Sequence, residues 1–324
     1  MDLGAFFLLS TRYKALYLYP IIQFMFNQVF LSENQSIDTF SEIRLTMKRE
    51  DQIHPVLSGN KYRKLKYNFQ RLKSASYKKV FTFGGAFSNH LAAVAAAGIS
   101  LKIPTIGIVR GEEWEFKIEK SPTLTYCQSQ GMILYFISRD AYREKKVPFP
   151  YNPSQDYLLP EGGTNALAIE GCKEILNNSD TQFDTVCCCV GTGGTLAGLI
   201  EASASDQEIL GFPALMHRQL EGDIQQWTKK DNWTLIRGFE FGGYARTNEA
   251  LVLFMNSFYQ QYGIPLDPIY TGKMLFGIFE LIKKGQWRWG NNVLIIHTGG
   301  LQGIRGFNQH RLEKGHTPLC YSSA

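Results

Sequence analysis

The chain has 324 residues, of which 44% are hydrophobic and 19% are charged, and its formal net charge is +5 at pH 7. This composition is typical of a globular protein with one large core or two modest ones, and it excludes a largely disordered chain. The Lys and Arg residues are scattered and form no basic stripe, so the sequence does not predict a nucleic-acid partner. The small positive balance suits small anionic ligands.

The first 27 residues are apolar and aromatic. Arg12, Lys14 and Pro20 interrupt them before they reach the roughly 18 residues that a membrane span requires. The stretch also opens with Asp2 and lacks the basic start and small-residue cleavage site of a secretory signal. We therefore expect no membrane association and a cytoplasmic location.

Six cysteines occur, and Cys187, Cys188 and Cys189 are consecutive within an apolar run. Such a position is typical of buried thiols in a reduced, intracellular protein. The chain contains no C-x-x-C pair and no H-x-x-x-H spacing, so the sequence predicts no metal site.

From Lys79 onward, short apolar runs alternate with helical stretches: KVFTF precedes SNHLAAVAAAG, IPTIGIVR precedes SPTLTYCQSQG, and MILYFIS follows. Apolar runs that do not alternate with polar residues favour strands of a parallel sheet covered on both faces. Residues 147–163 are rich in Pro, Gly and Tyr, which predicts a loop that crosses between two lobes.

A second series follows this loop. It contains helical ALAIEGCKEILNN, strand FDTVCCCV, helical TLAGLIEASA, strand EILGFPAL, helical LVLFMNSFYQQYG and MLFGIFELIKKG, and strand NVLIIH. The two series together predict an α/β protein with two open, twisted, mostly parallel sheets flanked by helices.

The turn GTGGT, residues 191–195, lies between a buried strand and a helix. Glycines allow close approach of the backbone to an anion, and the helix start adds N–H donors and partial positive charge. The turn matches neither the dinucleotide fingerprint nor the P-loop. The pattern therefore predicts an anion cradle, with a plain tight turn as the alternative.

Three more strand ends carry polar residues: FTFGGAFSNH, DPIYTGK and IIHTGG. In open α/β sheets, ligands bind where the carboxyl ends of the strands face a crevice, so we expect one shared pocket. Taken alone, Ser88 is better explained as a helix N-cap, and His90 as a structural residue.

Lys61 lies in the segment SGNKYRK, residues 58–64, beside Arg63 and Lys64. Most lysines are solvated, and this one could simply begin a helix. A desolvated lysine near other cations, however, has a lowered pKa and a reactive neutral amine. The segment therefore gives a physical reason for a nucleophile.

Six segments, in this order between residues 58 and 303, make the sequence resemble the fold type II pyridoxal-phosphate enzymes: SGNKYRKLKYN, GGAFSNHLAAVAAA, PEGGTNALAIEG, GTGGTLAGL, DPIYTGK and HTGG. They are most similar to the family of D-cysteine desulfhydrase and 1-aminocyclopropane-1-carboxylate deaminase. The resemblance implies pyridoxal 5'-phosphate as cofactor, a small amino acid as substrate and a homodimer. It also implies a larger cofactor-binding domain, residues 1–57 and 164–324, and a smaller α/β domain, residues 58–163.

By this resemblance, Lys61 forms the Schiff-base link to the cofactor, with Arg63 and Lys64 as helix-start residues of the motif. Asn89 binds the 3-hydroxyl of the cofactor ring. The phosphate is held at the glycine turn, and the residues implied there are Gly191, Thr192, Gly193, Gly194 and Thr195.

The resemblance places the substrate against Ser88, Asn89 and His90, with Ser88 and the Asn89 backbone facing its carboxylate. It also implies two active-site tyrosines, Tyr244 and Tyr270. Phe87 departs from the family pattern, which often has a polar residue near this position, and its bulk is expected to alter the pocket.

Thr271 and Thr298 stand where the deaminase pattern carries Glu and Leu. A threonine hydroxyl near the ring nitrogen stabilises a pyridinium charge less well than a carboxylate, so a good leaving group matters more. This favours β-elimination, in which D-cysteine gives pyruvate, hydrogen sulfide and ammonia. The alternatives are a deaminase, a catalytically silent cofactor-binding paralogue and a nicotinamide-dependent oxidoreductase.

Overall fold

The computed structural model of the protein describes residues 26, 31–37, 42–54, 57 and 59–321. The N-terminal stretch, for which we expected neither a membrane span nor a signal, lies outside this part apart from Phe26. Within the described residues, no helix combines the length and apolar character needed to cross a bilayer.

A four-stranded parallel sheet forms the first α/β layer, in the order β5-β4-β3-β6. Its strands are β3 (Lys79–Gly84), β4 (Thr105–Arg110), β5 (Ile133–Ile137) and β6 (Asp156–Leu159). The three strands predicted for this region are confirmed. The prediction of a plain loop at 147–163 is wrong in part, because Asp156–Leu159 pairs with β3 as an edge strand. The Pro-rich flanks concealed this four-residue strand.

A six-stranded sheet forms the second layer, in the order β1-β2-β10-β7-β8-β9. Its strands are β1 (Asn34–Ile37), β2 (Arg44–Lys48), β7 (Thr185–Val190), β8 (Glu208–Pro213), β9 (Trp233–Leu235) and β10 (Asn292–Ile296). All neighbouring strands are parallel except β1 and β2. The predicted α/β class with two mostly parallel sheets is confirmed, whereas β1, β2 and β9 were not predicted.

The helices lie between and beside these strands. They are α1 (Asn60–Ser74), α2 (Asn89–Leu101), α3 (Pro122–Ser129), α4 (Arg139–Arg143), α5 (Ala166–Lys173), α6 (Gly194–Ala202), α7 (Leu220–Gln225), α8 (Glu249–Tyr262), α9 (Thr271–Lys283) and α10 (Ile304–Glu313). Each sheet has its own apolar core. The predicted domain boundaries at 57/58 and 163/164 stay a prediction.

Central strand β7 is buried along its whole length, and it contains the three consecutive cysteines. Cys187 and Cys188 are fully buried and Cys189 is 5% exposed, so the prediction of buried thiols is confirmed. The strand ends at Val190, immediately before the glycine turn. Its burial on both faces gives that turn a rigid support.

Helix α1 is held in place at its first turn. Arg63 forms a buried ion pair with Glu50, at 2.8 Å, and both side chains are at most 1% exposed. A Cβ on Gly171 of α5 would lie 2.0 Å from the Arg63 carbonyl oxygen, so the two helices touch backbone to backbone. Removing one partner of a buried ion pair typically costs roughly 3–5 kcal/mol. The pair therefore ties the Lys61 segment to the larger sheet.

Candidate active site

One cavity of about 750 Å³ lies at the carboxyl ends of strands from both sheets. Eleven of the thirteen predicted site residues line it: Lys61, Ser88, Asn89, His90, Gly191, Thr192, Gly193, Thr195, Tyr244, Tyr270 and Thr298. Gly194 and Thr271 do not. The cavity thus brings together segments that lie far apart in the sequence, and the chemical roles given to these residues stay predictions.

Lys61 is the second residue of α1 and lies at the base of this cavity. The backbone before it is tightly placed: Gly59 has φ +64°, and a Cβ there would lie 1.9 Å from the Thr298 carbonyl oxygen. Only glycine tolerates both the left-handed conformation and this contact. Gly59 therefore allows the start of α1 to lie directly against the HTGG turn.

The Lys61 amine connects to the anion cradle through two hydrogen bonds. Lys61 Nζ donates to Asn60 Oδ1 at 3.0 Å, and Asn60 Nδ2 donates to Thr195 Oγ1 at 2.9 Å. Burial lowers the pKa of Lys61, while the nearby Cys189 and Asp267 act in the opposite direction. The lowered pKa agrees with the predicted reactive amine, but desolvation causes it rather than neighbouring cations.

Lys64 has a role that the sequence reasoning missed. Its Nζ donates to the Gly162 carbonyl at 3.0 Å, to Thr164 Oγ1 at 3.0 Å and to Thr192 Oγ1 at 3.3 Å. Burial, followed by the charge of Lys61, lowers its pKa to about 8. The spacing Lys61 to Lys64 could have revealed it, because residues three apart share a helix face.

The glycine turn after β7 suits a phosphate group. Gly193, with φ +83°, is the N-cap of α6, and no side chain caps this helix start. The first N–H groups of a helix have no partner within the helix, and they carry its partial positive charge. Gly194 supplies the first of these although it does not line the cavity. Together with Lys64, this turn can hold a phosphate, and Lys61 can bind an aldehyde beside it.

Ser88 is the N-cap of α2, and its Oγ accepts a hydrogen bond from the Leu91 N–H at 3.3 Å. The capping explanation is therefore confirmed. Ser88 and Asn89 also line the cavity, so the cap does not exclude a binding role for this helix start. The carboxylate seat itself stays a prediction.

The buried His90 ring lies among polar groups at the wall of the cavity. Its Nε2 lies 2.8 Å from Thr82 Oγ1, and that hydroxyl oxygen lies 2.9 Å from the Leu159 carbonyl oxygen. These contacts and the backbone of Pro160 hold the ring in place. Burial and the charges of Lys61 and Lys64 lower the pKa of His90 well below 6.5.

The two predicted tyrosines meet across the cavity, with ring centroids 6.3 Å apart. Desolvation raises the pKa of both, although the Tyr244 side chain is 41% exposed, so both hydroxyls are neutral at physiological pH. A Cβ on Gly191 would lie 3.3 Å from the ring of Tyr270. The Tyr244 loop is fixed by Lys273, whose buried Nζ donates to the carbonyls of Ala214, Glu240 and Gly243.

The two predicted threonines differ in position. Thr298 lines the cavity, and its Oγ1 lies 3.0 Å from Cys189 Sγ. Thr271 is 1% exposed, and its hydroxyl accepts a hydrogen bond from the Asp267 N–H instead of facing the cavity. Asp267 beside it is buried, and burial raises its pKa to about 7. Among the described residues, no group of three His, Cys, Asp or Glu side chains is arranged to bind a metal.

Comparisons with known proteins agree with this geometry. The model of the family "Pyridoxal-phosphate dependent enzyme" matches residues 33–299. The bifunctional D-cysteine desulfhydrase/1-aminocyclopropane-1-carboxylate deaminase of Arabidopsis thaliana mitochondria is 28% identical, over 80% of this chain and 73% of its own length. The D-cysteine desulfhydrase of Klebsiella pneumoniae is 24% identical, over 82% of this chain and 89% of its own.

Among solved structures, that of an ACC deaminase homologue covers 91% of this chain and 99% of its own, with a TM-score of 0.72 and 23% identity. At that identity the likeness concerns the fold, which is that of the fold type II enzymes. The family match covers most of the chain, and the cavity supplies a buried amine and an uncapped helix start suited to the cofactor. The chain belongs to the pyridoxal-phosphate dependent enzymes.

Proposed function

We propose that the protein is a pyridoxal-phosphate dependent lyase that performs β-elimination on a thiol-bearing amino acid, converting D-cysteine into pyruvate, hydrogen sulfide and ammonia. The observation that carries this proposal is the half-buried Lys61 side chain, whose amine is linked through Asn60 to the helix start at Thr195. It supports the assignment of Lys61 as base and nucleophile beside a phosphate seat. The names of the Arabidopsis and Klebsiella relatives support the choice of substrate.

Different residues of the chain are proposed to bind the cofactor and the substrate. Lys64 and the first N–H groups of α6 would hold the cofactor phosphate, and Asn89 would hold its ring hydroxyl. When bound, the cofactor would supply an electron-withdrawing ring that accommodates negative charge at the substrate's α carbon. The Ser88 turn would receive the substrate carboxylate, because α2 begins there at the cavity wall.

Lys61 would act as the base once its amine is free, since burial lowers its pKa and favours the neutral amine. The Cα–H bond breaks and its electron pair forms the Cα=Cβ bond, while the Cβ–S bond breaks and its pair leaves with the sulfur. The enamine product takes up water and yields pyruvate and ammonia. The neutral hydroxyls of Tyr244 and Tyr270 are donors suited to the departing sulfur.

The position of Thr271 favours elimination over ring opening. Its hydroxyl is turned away from the cavity, and the carboxylates that line the cavity among the described residues are Glu161 and Asp223. Neither stands at the two positions of the deaminase pattern. A deaminase acting on 1-aminocyclopropane-1-carboxylate is the second candidate, because the Arabidopsis relative carries both activities in its name.

A product assay tests the proposal. Purified protein loaded with pyridoxal phosphate receives D-cysteine, L-cysteine or 1-aminocyclopropane-1-carboxylate, and hydrogen sulfide and keto acid are followed. We expect sulfide and pyruvate in equal amounts from D-cysteine. Keto acid from the cyclopropane substrate alone would establish the deaminase, and no product from any of them would establish a silent paralogue.

A visible spectrum separates the oxidoreductase alternative. The loaded protein is expected to be yellow and to lose its colour on borohydride reduction, which a nicotinamide-binding protein would not do. We further propose that the enzyme is a cytoplasmic homodimer. Light scattering after size-exclusion chromatography would show a mass near twice 36.8 kDa.

A further inference from the structure

Arg110 lines the same cavity, although no sequence pattern assigned it a role. It is the last residue of β4, next to the turn that follows β3. A Cβ on Gly85 would lie 3.5 Å from Arg110 Nη2. The guanidinium therefore lies against the glycine turn that leads to Ser88 and Asn89, on the side of the cavity predicted for the substrate.

The ring of the buried Tyr142 lies beside the Arg110 guanidinium. The centre of the Arg110 guanidinium lies 5.6 Å from the ring centroid of Tyr142, within cation–π range. Tyr142 is 3% exposed, packs edge to face on Phe83 at 5.7 Å, and donates its hydroxyl hydrogen to Glu161 at 2.5 Å. The ring is thus fixed at both ends, and it lies beside two cations, the exposed Arg110 and Lys145, whose Nζ is 3.8 Å from the ring centroid.

Arg110 differs from its cationic neighbours in having no carboxylate. Around the outer part of the cavity, Arg139 pairs with Glu113, Arg143 with Asp140, and Lys145 with Glu161. Among the described residues, no Asp or Glu oxygen makes an ion pair with Arg110, and Glu161 is already engaged by Tyr142 and Lys145. Its positive charge is therefore uncompensated.

The charge balance of the cavity makes this cation available to a ligand. Six Lys and Arg residues line the cavity, against two carboxylates, Glu161 and Asp223. In the proposed function, Lys64 and the start of α6 match the cofactor phosphate, and the Ser88 turn matches the α-carboxylate of the substrate. A planar guanidinium with free donors binds a further carboxylate or similar oxyanion in a bidentate fashion.

We propose that Arg110 determines substrate specificity by binding a negatively charged group on the side chain of the amino-acid substrate. This group is present in addition to the α-carboxylate. This inference rests on the proposed function in taking the cavity as an amino-acid site. It extends that function from cysteine itself to β-substituted, acid-bearing amino acids, such as thioethers whose sulfur carries a carboxylate. The reaction is unchanged, and the departing thiolate carries the extra acid with it.

A matched pair of substrates tests the proposal. The holoenzyme receives S-carboxymethylcysteine or the neutral S-propylcysteine, each as D and L forms, and pyruvate formation gives kcat/KM. We expect the acidic thioether to be preferred by about 10- to 100-fold, the range of a hydrogen-bonded charge pair. Arg110→Gln should abolish this preference, and Arg110→Lys should retain part of it because the charge remains but the fork is lost.

Arg143→Gln is the matched control, since it removes a cation of the same rim that already has Asp140 as its partner. It should leave the ratio of acidic to neutral substrate unchanged. Equal kcat/KM for the two thioethers in the wild type would overturn the proposal. An equal loss for both in Arg110→Gln would also overturn it, because Arg110 would then bind the α-carboxylate common to all amino acids.

A binding measurement keeps the test independent of turnover. Calorimetry on the holoenzyme compares succinate, with two carboxylates, with butyrate, with one. Tighter binding of succinate that disappears in Arg110→Gln supports the proposal even if no thioether is cleaved, in which case the proposed β-elimination fails alone. Cleavage of D-cysteine without any preference for a second acid in either measurement refutes Arg110 as the determinant and leaves the lyase standing.

Discussion

The two ends of the cavity are built differently. The inner end comprises Asn60, Lys61, Lys64 and the glycine turn before α6, where side chains bond to one another and to backbone held by the central strand β7. The outer end comprises Arg110, Tyr142 and Tyr244, of which Arg110 and Tyr244 are exposed and have loops as neighbours.

This difference indicates how the family can vary its reactions. The inner end lies within the motifs SGNKYRK and GTGGT, and we propose that it provides what an enzyme of this kind needs, an amine and a phosphate seat. The outer end lies mostly outside those motifs. Substrate choice is therefore expected to change at the outer end while the chemistry at the inner end is kept.

The largest expected effect is the loss of the inner end's nucleophile. Lys61→Ala should lower turnover by at least about 10³-fold, because the cofactor loses its covalent anchor and the reaction loses its base. The protein should also lose the colour change on borohydride reduction. Lys73→Ala, an exposed lysine on the same helix, is the control and should change neither. Full activity in Lys61→Ala would refute the assignment of the inner end.

A smaller effect is expected from the second inner lysine. Sulfate keeps its charge between pH 6 and 10, so its binding to the cofactor-free protein reports on the charge of Lys64. Lys64→Met should weaken sulfate binding by about tenfold or more below pH 8. The affinity of the wild-type protein for sulfate should fall as the pH rises through about 8, because Lys64 loses its proton there. The midpoint of this fall should lie at or above the pKa that Lys64 has without sulfate.

Calorimetry across this pH range provides the check. In Lys64→Met the fall should be reduced, since the N–H donors at the start of α6 do not titrate, which leaves Lys61, whose pKa is also lowered, to titrate beside the turn. Identical pH profiles for the two proteins would place the bound anion away from Lys64. The inner end would then consist of the helix start alone.

The smallest expected effect comes from substitutions of Ser88, in the turn between the two ends of the cavity. Ser88→Asp keeps an N-cap, so thermal stability should stay within a few tenths of a kcal/mol, whereas Ser88→Ala should lose about 1 kcal/mol. Only the aspartate places a negative charge at the substrate carboxylate's seat. We expect Ser88→Asp to raise KM far more than Ser88→Ala does, as steady-state kinetics would show. Equal KM values would leave Ser88 as a cap alone.

The sequence predicted the α/β class, most of the strands and the segments that line the cavity. Strands such as KVFTF and NVLIIH were identifiable because strands of a parallel sheet are apolar on both faces. The edge strand Asp156–Leu159 was missed because edge pairing needs neither length nor an apolar run. Its parallel partner β3 is supplied by a segment more than seventy residues away.

The site shows the same difference between features set by local sequence and features set by distant segments. The local pattern of glycines and threonines was sufficient to predict an anion cradle, because the backbone of a strand-turn-helix unit is set by its own residues. The burial that lowers the pKa of Lys61, and the hydrogen bonds that engage Lys64, depend on segments far away in the sequence.

By itself, the sequence determined the local units: strands, helix starts, glycine turns and the family to which they belong. Only the tertiary structure decided that Thr271 faces away from the cavity, that His90 contacts Thr82 and that Arg110 has no carboxylate partner among the described residues. Desolvation and charge pairing act through space over a few ångströms, and residues at such distances need not be neighbours along the chain.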